Sequence, residues 1–421
     1  MTTPKLRFKE FDGDWTGLKI KDLVTSLDAG VSVNSEDIEP QKDEYSVLKT
    51  SCISSGYFDE NERKRVLQDV EIQRLKEPVL DDSILMSRMN TPLLVGMNAY
   101  VFKAPRNTFL PDRLWQLKIN DNKTVTRWLA FYLGSDQGLN QIRDLASGTS
   151  NSMKNITKPD VLNIDLFAPQ KAEQTKIASF LSAVDEKISQ LTQKLHLLGQ
   201  YKQGMMKKLF SQQIRFKADD GSQFEEWVTK TIKELNLYIS DGNYGELYPT
   251  SAQFVSHGVP FIRANNIKNL KVTNNDMRFI DENLHQILNS GHLKTNDIIV
   301  TTRGDIGMVA LVDSSHEGSN INAQICLLRV VDQSQLSPQF LLYFLDSSFG
   351  QKQFKELQTG TALKQLPKKS LDKIITLVPS INEQTKIANF LSSIDQKIDV
   401  VSEQLEQAKL WKKGLLQQMF V

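Results

Sequence analysis

Apolar residues recur at alternating spacings of four and three in two separate stretches of this 421-residue chain. The first stretch carries Ile177, Leu181, Val184, Ile188, Leu191, Leu195 and Leu198. The second carries Ile387, Leu391, Ile394, Ile398, Val401, Leu405 and Ala408. This spacing puts the apolar side chains on one narrow stripe of an α-helix, which is the pattern that buries against a partner helix in a coiled coil. Each stretch therefore predicts a long helix that needs a partner.

The two stretches are also nearly identical in sequence. Residues 173–188, EQTKIASFLSAVDEKI, return at 383–398 as EQTKIANFLSSIDQKI, with twelve of sixteen positions identical and a shift of 210 residues. The ungapped match extends to Phe210 and Phe420, so the repeat covers about 38 residues, or about 57 Å of helix. The chain is therefore two copies of one module, each a variable body followed by a constant helix.

Two packing arrangements satisfy the apolar stripes. Each helix can bury its stripe in the core of its own module, or the two helices can pair antiparallel about a pseudo-twofold axis, which the repetition favours. Pro169 and Pro379 mark the upstream edges of the helices. Ser380 and Glu383 have the spacing of a capping box, whereas the first copy has Gln170 in place of the serine.

Short apolar runs that end in cations or turns indicate strands within the bodies. Residues 45–53, YSVLKTSCI, align with 259–267, VPFIRANNI, and residues 82–88 align with 297–303. These alignments pair Lys49 with Arg263 and Arg88 with Arg303. Glycines that suit turns with positive φ or close backbone approach also align, Gly30 with Gly242 and Gly96 with Gly307. The bodies are predicted to be α+β, and each ends in a Gly-Thr loop, at 148–149 or 360–361.

The pattern divides the chain into four predicted segments. They are a first body over 1–168, a first helix over 169–210, a linker with the second body over 211–378, and a second helix over 379–421. A hydrophobic content of 40% is sufficient for a core in each half. The net charge of +1 gives no argument for nucleic acid, so any basic face is local.

Several classes of protein are disfavoured by what the chain lacks. Cys52 and Cys326 lie at unmatched places in the two halves, which suggests neither a disulfide framework nor a CxxC metal site. The five histidines lack the paired spacing of metal ligands. Residues 1–15 have no apolar signal region, and no apolar run is long enough to span a membrane, so we expect a cytoplasmic protein.

Catalytic motifs are also missing. The sequence has no Asn/Asp-Pro-Pro-aromatic loop for modifying an amino group of DNA and no GxxxxGK[ST] phosphate loop. A nuclease built on scattered acids such as Asp297 and Asp305 stays open as an alternative. We therefore expect a chain without catalytic residues, metal or cofactor of its own.

The segments that carry a resemblance to a known family are the EQTKIAxFL helices, PFIRANNI and RGDIG…NAQICLLR. Through them the chain resembles the specificity subunit of type I restriction-modification systems. The resemblance covers essentially the whole chain and is weakest in the first body, where LPDRLWQL at 110–117 is the best match. It implies two target recognition domains that each read one half of a split double-stranded DNA site. It also implies that the helices set the spacing and dock two methylation subunits, which carry S-adenosylmethionine, and that a restriction and translocase subunit joins them.

Candidate DNA contacts are cations and amides in the bodies. Lys154 and Lys364 follow the two Gly-Thr loops and fit phosphate contacts, the alternative being solvated loop lysines. The four cations at predicted strand ends, namely Lys49, Arg88, Arg263 and Arg303, fit phosphate contacts or structural ion pairs equally. The amides Asn265, Asn266, Asn322 and Gln324 fit paired hydrogen bonds to adenine, although such residues are also common in turns. Tyr244 lies in a loop that suits either an approach to DNA or a simple turn.

Candidate contacts to the methylation subunit lie at the apolar ends of the two helices. They are Met205, Leu209, Phe210, Leu415, Met419 and Phe420. Packing of the same side chains under a body is the alternative. Three hypotheses follow for the whole chain: a DNA specificity subunit, a coiled-coil scaffold that binds only protein, and a self-contained nuclease or methyltransferase. The resemblance and the missing motifs favour the first.

Overall fold

Both repeated segments form single long helices in the computed structural model, which describes residues 3–148 and 152–421. The first helix spans Lys171–Phe210 and the second spans Ile381–Met419, so they contain 40 and 39 residues. Thr149 of the first Gly-Thr loop lies outside the described residues. Among the described residues, no helix is long and apolar enough to cross a membrane.

Contacts divide the chain into two units. Unit 1 consists of the described residues of Met1–Thr192 together with Glu403–Val421, and unit 2 is Gln193–Ser402. Each unit holds one body, the first half of the helix that follows that body and the second half of the other helix. The four predicted segments follow one another along the chain and keep each helix whole. The two compact units instead divide each helix near its middle.

Short strands make up most of the regular structure in both bodies. The strands of the first body are β1 (Thr16–Lys19), β2 (Val24–Ala29), β3 (Ser46–Leu48), β4 (Arg63–Arg65), β5 (Ser83–Ser87), β6 (Met89–Asn90), β7 (Asn98–Val101), β8 (Thr108–Phe109), β9 (Leu114–Ile119), β10 (Lys154–Asn155) and β11 (Asp165–Ala168). Its helices are α1 (Ile20–Leu23), α2 (Asp69–Arg74), α3 (Thr126–Leu133), α4 (Asp136–Asp144) and α5 (Lys158–Leu162), and α6 is the first long helix.

The second body repeats this order with additional strands. Its strands are β12 (Val228–Thr231), β13 (Tyr238–Asp241), β14 (Phe254–Val255), β15 (Val259–Ile262), β16 (Ile267–Lys268), β17 (Leu270–Val272), β18 (Arg278–Ile280), β19 (Ile298–Thr301), β20 (Val309–Leu311), β21 (Asn320–Ile321), β22 (Ile325–Arg329) and β23 (Ile375–Val378). Its helices are α7 (Glu282–Ile287), α8 (Pro338–Asp346), α9 (Ser348–Glu356) and α10 (Lys368–Leu371), and α11 is the second long helix.

The two bodies share one sheet arrangement. The central sheet of the first body has the order β2-β9-β5-β7, and that of the second starts with the equivalent β13-β22-β19-β20 and continues into β17 and β16. A smaller sheet, β4-β3-β8 in the first body and β14-β18-β15-β21 in the second, contains one parallel pair in each, β3 with β8 and β15 with β21. The mixed helices and sheets confirm the α+β prediction.

Glycines hold the matched turns together as predicted. A Cβ atom on Gly30 would lie 1.6 Å from the carbonyl oxygen of Leu110, and one on Gly242 would lie 2.4 Å from that of Asn322. In each body the glycine therefore lets the end of a strand lie against the equivalent backbone segment. A residue with a Cβ atom would clash there. Gly96 and Gly307 have positive φ angles of +75° and +93°.

The apolar stripes of both helices point inward. Buried positions along them are Ile177, Leu181, Val184, Ile188, Leu191, Ile387, Leu391, Ile394, Val401 and Leu405. In unit 2, Ile387, Leu391 and Ile394 belong to the same apolar core as Phe340 and Phe344 of α8. The first half of the helix thus packs into its own body, which was one of the two arrangements considered.

The second arrangement is present as well. In unit 1, α6 lies beside the end of α11, with the rings of Phe180 and Trp411 6.0 Å apart and the Asp185 carboxylate 2.6 Å from the Lys412 ammonium. In unit 2, the end of α6 lies beside the start of α11, and Lys202 and Asp395 form the matched ion pair at 2.6 Å. The two helices therefore run antiparallel, and the same lysine-aspartate contact occurs once in each unit.

A buried glutamate at the start of each repeat ties the helix to its body. Glu383 is 0% exposed, and its carboxylate accepts hydrogen bonds from Arg215 at 2.9 and 3.2 Å and from the indole N–H of Trp227 at 2.9 Å. Glu173 is bound in the same way by Arg7, at 2.7 and 2.8 Å. These arginines come from the Arg-Phe-Lys triplets that precede the two bodies.

This pairing corrects the predicted capping box. The Ser380 hydroxyl does accept the backbone N–H of Glu383, at 3.5 Å. The glutamate side chain, however, binds Arg215 and Trp227 instead of returning to the start of the helix. The reason is that a buried carboxylate gains more from a guanidinium than from a neutral backbone N–H.

The glutamine that follows each glutamate is buried too. Gln174 accepts the Thr124 hydroxyl at 2.7 Å and the Val125 N–H at 2.8 Å just before α3, and Gln384 accepts the Ser337 N–H at 2.8 Å just before α8. Each glutamine also donates to the proline carbonyl five residues earlier, at 2.9 Å. The repeated Glu-Gln pair is therefore a polar anchor, defined here as Glu173 with Gln174 and Glu383 with Gln384.

Substitution of Glu383 by Gln should lower the free energy of unfolding by about 1.5–3 kcal/mol, because Arg215 would lose its buried partner and keep only the exposed Glu226, at 3.4 Å. Chemical denaturation followed by tryptophan fluorescence measures the change. The matched control is Glu225→Gln, at an exposed position whose carboxylate has no ion-pair partner among the described residues. If both variants lose less than about 1 kcal/mol, which is the range of exposed pairs, the anchor is not structural.

Candidate nucleic-acid interface

Strand ends of the second body converge on residues 322–324. The N–H of Asn322 donates to the carbonyl of Ile262 at 2.9 Å, and the carbonyl of Gln324 accepts the N–H of Thr302 at 2.7 Å. Because β15 and β21 are parallel, their carboxyl ends lie at the same edge of the sheet. This edge, called the polar edge below, carries the predicted residues Arg263, Asn265, Arg303, Asn322 and Gln324.

A hairpin adds Lys364 to the polar edge. Thr359 and Gln365 exchange backbone hydrogen bonds at 2.8 and 3.0 Å, and Gln365 forms a β-bridge with Arg303. The N–H of Leu366 then donates to the carbonyl of Thr302 at 2.9 Å. The hairpin 359–365 is thus tied by its backbone to the strand end that carries Arg303.

Tyr244 completes the polar edge. The residue is 44% exposed, and the guanidinium of Arg303 lies 5.5 Å from the centroid of its ring. Partial burial and the nearby carboxylate of Asp241 raise the pKa of the Tyr244 phenol above its ordinary value. A tyrosine hydroxyl is neutral at physiological pH even without this shift, and it can donate a hydrogen bond.

Several predicted cations already have acidic or carbonyl partners. Arg263 forms an ion pair with Asp276 at 2.9 Å, and this contact lowers the pKa of the Asp276 carboxyl. Lys49 pairs with Asp37 at 2.6 Å. Lys154 donates to the carbonyl of Gly148 at 2.8 Å. Arg303 and Lys364, by contrast, have exposed side chains and no ion-pair partner among the described residues.

Asn266 does not lie on the surface. It is 0% exposed. Its side-chain oxygen accepts the backbone N–H of Arg263 at 3.0 Å, and its side-chain NH2 donates to the backbone carbonyls of Thr273 and Asn275 at 3.2 and 2.9 Å. Asn322 is 4% exposed and accepts the N–H of Gln324 at 3.1 Å. Both amides therefore hold the backbone beneath the polar edge, while Asn265 and Gln324 are exposed.

The first body has an equivalent edge. Lys49 follows β3, which is parallel to β8, and the segment 110–113 follows β8. A cavity of about 360 Å³ opens there, lined by Ser32, Lys49, Lys64 and Asp112 among others. The edge of the first body thus combines cations with polar groups, as the polar edge of the second body does.

The strand ladders correct one sequence alignment by a single residue. Ser87 pairs with Leu114 at the end of β5, and Thr301 pairs with Ile325 at the end of β19. Arg88 is therefore equivalent to Thr302, and Arg303 is equivalent to Met89. The apolar sequence of the two strands fits either alignment equally well. Only the hydrogen bonds between the strands determine which residues are equivalent. The Arg88 guanidinium lies 5.8 Å from the Trp115 ring.

One exposed cation was missed by the sequence analysis. The carbonyl of Arg113 accepts the N–H of Arg88 at 3.1 Å, just as that of Gln324 accepts the N–H of Thr302. Arg113 is therefore the counterpart of Gln324, and its side chain is exposed. The signal was available, because Arg113 belongs to the LPDRLWQL segment that matched best in the first body.

The apolar ends of the helices are not on the surface, which corrects the predicted partner contacts. Exposures are 1% for Leu209, 2% for Phe210, 6% for Leu415, 2% for Met419 and 5% for Phe420, and Met205 is partly buried. Phe210 packs against Phe340 and Phe344 in unit 2, and Phe420 packs against Trp128 and Tyr132 in unit 1. Packing under a body, the alternative considered above, is what these side chains do.

The comparisons with known proteins agree with the repeat of two bodies along the chain. The family model described as type I restriction modification DNA specificity domain matches the chain twice, over residues 12–198 and 224–410. A putative type I restriction enzyme MjaX specificity subunit of Methanocaldococcus jannaschii is 24% identical, over 98% of this chain and 94% of that protein. The type I restriction enzyme EcoBI specificity subunit of Escherichia coli is 24% identical, over 75% of this chain and 69% of that protein.

Solved structures extend the similarity to the fold. The S subunit of a type I restriction-modification system from M. genitalium has a TM-score of 0.62 at 18% identity, covering 100% of this chain and 99% of that chain. The two family matches cover most of the chain and repeat at the spacing of the two bodies. The chain therefore belongs to the family of type I restriction-modification DNA specificity proteins.

Proposed function

We propose that this chain is the DNA specificity subunit of a type I restriction-modification complex and that each body reads one half of a split duplex site. One observation carries the proposal: the two bodies share their scaffold but present different side chains at equivalent places on the edge. The equivalent pairs are Lys49 and Arg263, Met89 and Arg303, and Arg113 and Gln324. A repeated scaffold with different contact residues suits two different half-sites.

The exposed side chains have the chemistry of base and phosphate recognition. The amides of Asn265 and Gln324 can make the two hydrogen bonds that distinguish adenine in the major groove, and Arg113 can make the bidentate contact to guanine. Lys364 and Lys154, at matched loops, suit phosphate contacts that position each body without reading sequence. The Arg263–Asp276 and Lys49–Asp37 pairs can exchange a carboxylate for a phosphate.

The subunit is proposed to be non-catalytic and to work within a larger complex. Two copies of a methylation subunit, each with its own S-adenosylmethionine, would dock on the constant helices, and a restriction and translocase subunit would join them. The repeat supports two equal docking places, because Tyr201 and Trp411, which are matched in sequence, are 50% and 54% exposed. These aromatic residues replace the buried helix ends as candidates for that contact.

The two alternatives have less support. A nuclease using Asp297 would need a free carboxylate, but Asp297 is 0% exposed and bound by Arg329 through two contacts of 2.7 Å. A scaffold that binds only protein gives no reason for the bodies to keep one fold while their edge residues differ. The decisive difference is whether the complex acts on one split DNA sequence.

Co-expression with the methylation subunit and sequencing of modified bases should reveal one split motif on plasmid DNA. Exchange of residues 216–378 for the body of another family member should then change only one half of the motif, since Glu383 of the anchor and its partner Arg215 are retained. An intact complex that modifies no motif would favour the scaffold. A change in both halves would mean that the bodies do not read DNA independently.

The variants Lys364→Ala and Gln324→Ala should distinguish a phosphate contact that positions the body from a base contact that reads the sequence. Loss of one phosphate contact lowers affinity for all duplexes alike and reduces the slope of log K against log salt concentration by about 0.9. Loss of a bidentate amide instead relaxes the preference at one base pair, by about 1–3 kcal/mol. Binding titrations at several salt concentrations, with single-base variants of the site, measure both. Equal effects on all duplexes from both variants would remove Gln324 from the reading residues.

The neighbours Asn265 and Asn266 provide a matched pair for the same distinction. Asn266→Ala leaves buried backbone groups unpaired and should lower the free energy of unfolding by about 1–3 kcal/mol. Asn265→Ala, at an exposed position, should change stability by less than about 0.5 kcal/mol and alter base preference instead. Denaturant unfolding and motif mapping test the pair. A stable Asn266→Ala variant with altered base preference would reverse the assignment.

A further inference from the structure

The tip of the hairpin 359–365 holds an apolar side chain out in solvent. Leu363 is 89% exposed, more than any other large apolar residue described. The tip is not loose, because Thr359 and Gln365 are paired in both directions and Gly360 has a φ angle of +90°. A Cβ atom on Gly360 would lie 2.5 Å from the carbonyl oxygen of Leu363, so glycine is required to close the turn.

A single exposed leucine is common and by itself means little. What distinguishes Leu363 is that the first body repeats the feature. Ser147 and Asn155 exchange backbone hydrogen bonds at 2.9 Å, and Gly148 has a φ angle of +140°. Met153, at the position matched to Leu363, is 39% exposed.

Sequence order is preserved around both tips. In each copy a glycine with positive φ is followed by an exposed apolar residue, which is Leu363 in the second body and Met153 in the first. The lysine that comes next, Lys364 or Lys154, is the same in both. The two bodies have diverged in most of their loops, yet both keep an apolar residue next to a lysine at the matched place.

The distance from the glycine is three residues to Leu363 and five residues to Met153, because the first loop is two residues longer. The apolar residue and its lysine therefore keep their place relative to the closing strand of the hairpin, at Asn155 or Gln365, and not relative to the glycine. A feature that is kept while the loop length changes is more than an accident of the turn.

Two exposed cations lie next to the tip that carries Leu363, although Asp305 and Asp346 line the same cavity as Lys364. Lys364 is its neighbour in sequence, and Arg303 is bridged to Gln365 of the same hairpin. Both cations are exposed and without an ion-pair partner among the described residues, although the exposed Asp305 lies close in sequence. An apolar tip between cations is poorly suited to an apolar protein surface and well suited to a polyanion that also offers apolar surface between its bases.

We propose that Leu363 is a wedge that the second body presses into the base stack of its half-site, and that Met153 does the same for the first body. The inference rests on the proposed function and adds a distortion of the duplex to it. Leucine and methionine are both among the side chains that proteins insert between base steps, where they unstack the bases and kink the duplex. Lys364 and Arg303 would hold the flanking phosphates at the same time.

The test uses the complex of the full chain with its methylation subunits and duplexes of the mapped motif. Single 2-aminopurine probes placed at successive steps of each half-site, away from the methylated base, gain fluorescence where a base is unstacked. We expect a gain at one step in each half. Leu363→Ala should abolish the gain in the second body's half only and weaken binding about tenfold, as expected for the loss of part of a buried leucine side chain.

Further variants make the test specific. Met153→Ala should abolish the signal in the other half, and Leu363→Met, which introduces the residue of the first body, should restore it in the second. Lys364→Ala should weaken binding while the unstacking signal persists at saturation. Val331→Ala removes a 65% exposed apolar side chain elsewhere in unit 2 and should change neither quantity.

Three results would overturn the wedge. A wild-type complex that binds its motif without any gain in fluorescence, with Leu363→Ala weaker only where a thymine is present, would indicate contact with a thymine methyl group. Unchanged DNA binding with impaired assembly of the complex would make Leu363 a protein contact. A wild-type complex with no preference for any split motif would overturn the proposed function itself, and the wedge with it.

Discussion

The fold of each unit depends on a buried ion pair between the start of the long helix and the strip of chain that precedes its own body. Glu173 binds Arg7, and Glu383 binds Arg215, and both glutamates are 0% exposed. The same arginines also donate to backbone carbonyls just before the first strand of each body, at Gly13 and Glu225 for example. One guanidinium therefore joins the beginning of a module to the helix at its end.

The glutamine next in sequence fixes the orientation of the helix relative to its body. Gln174 and Gln384 bind the backbone just before α3 and α8, so that the helix start is fixed on two sides. Apolar packing alone tolerates a small rotation of a helix about its axis, whereas these hydrogen bonds have a required geometry. The consequence is that the bodies can change their surface residues while the helix keeps its attachment. Such an attachment suits a protein whose recognition surface differs between bodies while the helices stay the same.

The long helices and the repeat could be predicted from the sequence because both depend on local patterns. Apolar spacing fixes which face of a helix is buried, and identity between copies fixes the module. The glycines at 30 and 242 were predictable for the same reason, since each is required by a close approach of the backbone. The role of the Glu-Gln pair was not, because its partners lie about 50 to 170 residues away in sequence.

The site was predicted less well for three physical reasons. A register shift of one residue separates Arg88 from its apparent partner Arg303, and only the hydrogen bonds of the ladder reveal it. Asparagine has the same chemistry whether it reads a base or holds a turn, so Asn266 and Asn265 could be told apart only by burial. Apolar helix ends pack under a body as readily as they bind a partner, and Phe210 and Phe420 do the former.

The arrangement of charge fits the selectivity that the proposed function requires. A near-neutral chain whose edge cations are partly paired, as in Arg263–Asp276 and Lys49–Asp37, gains little from counter-ion release on arbitrary DNA. Weak general attraction leaves more of the binding energy to contacts that depend on sequence. The buried amides of Asn266 and Asn322 fix the backbone of Arg263 and Gln324, and in the proposed function this order exists before DNA binds. Less entropy is then lost on binding, so the difference between a correct and an incorrect base is retained in the affinity.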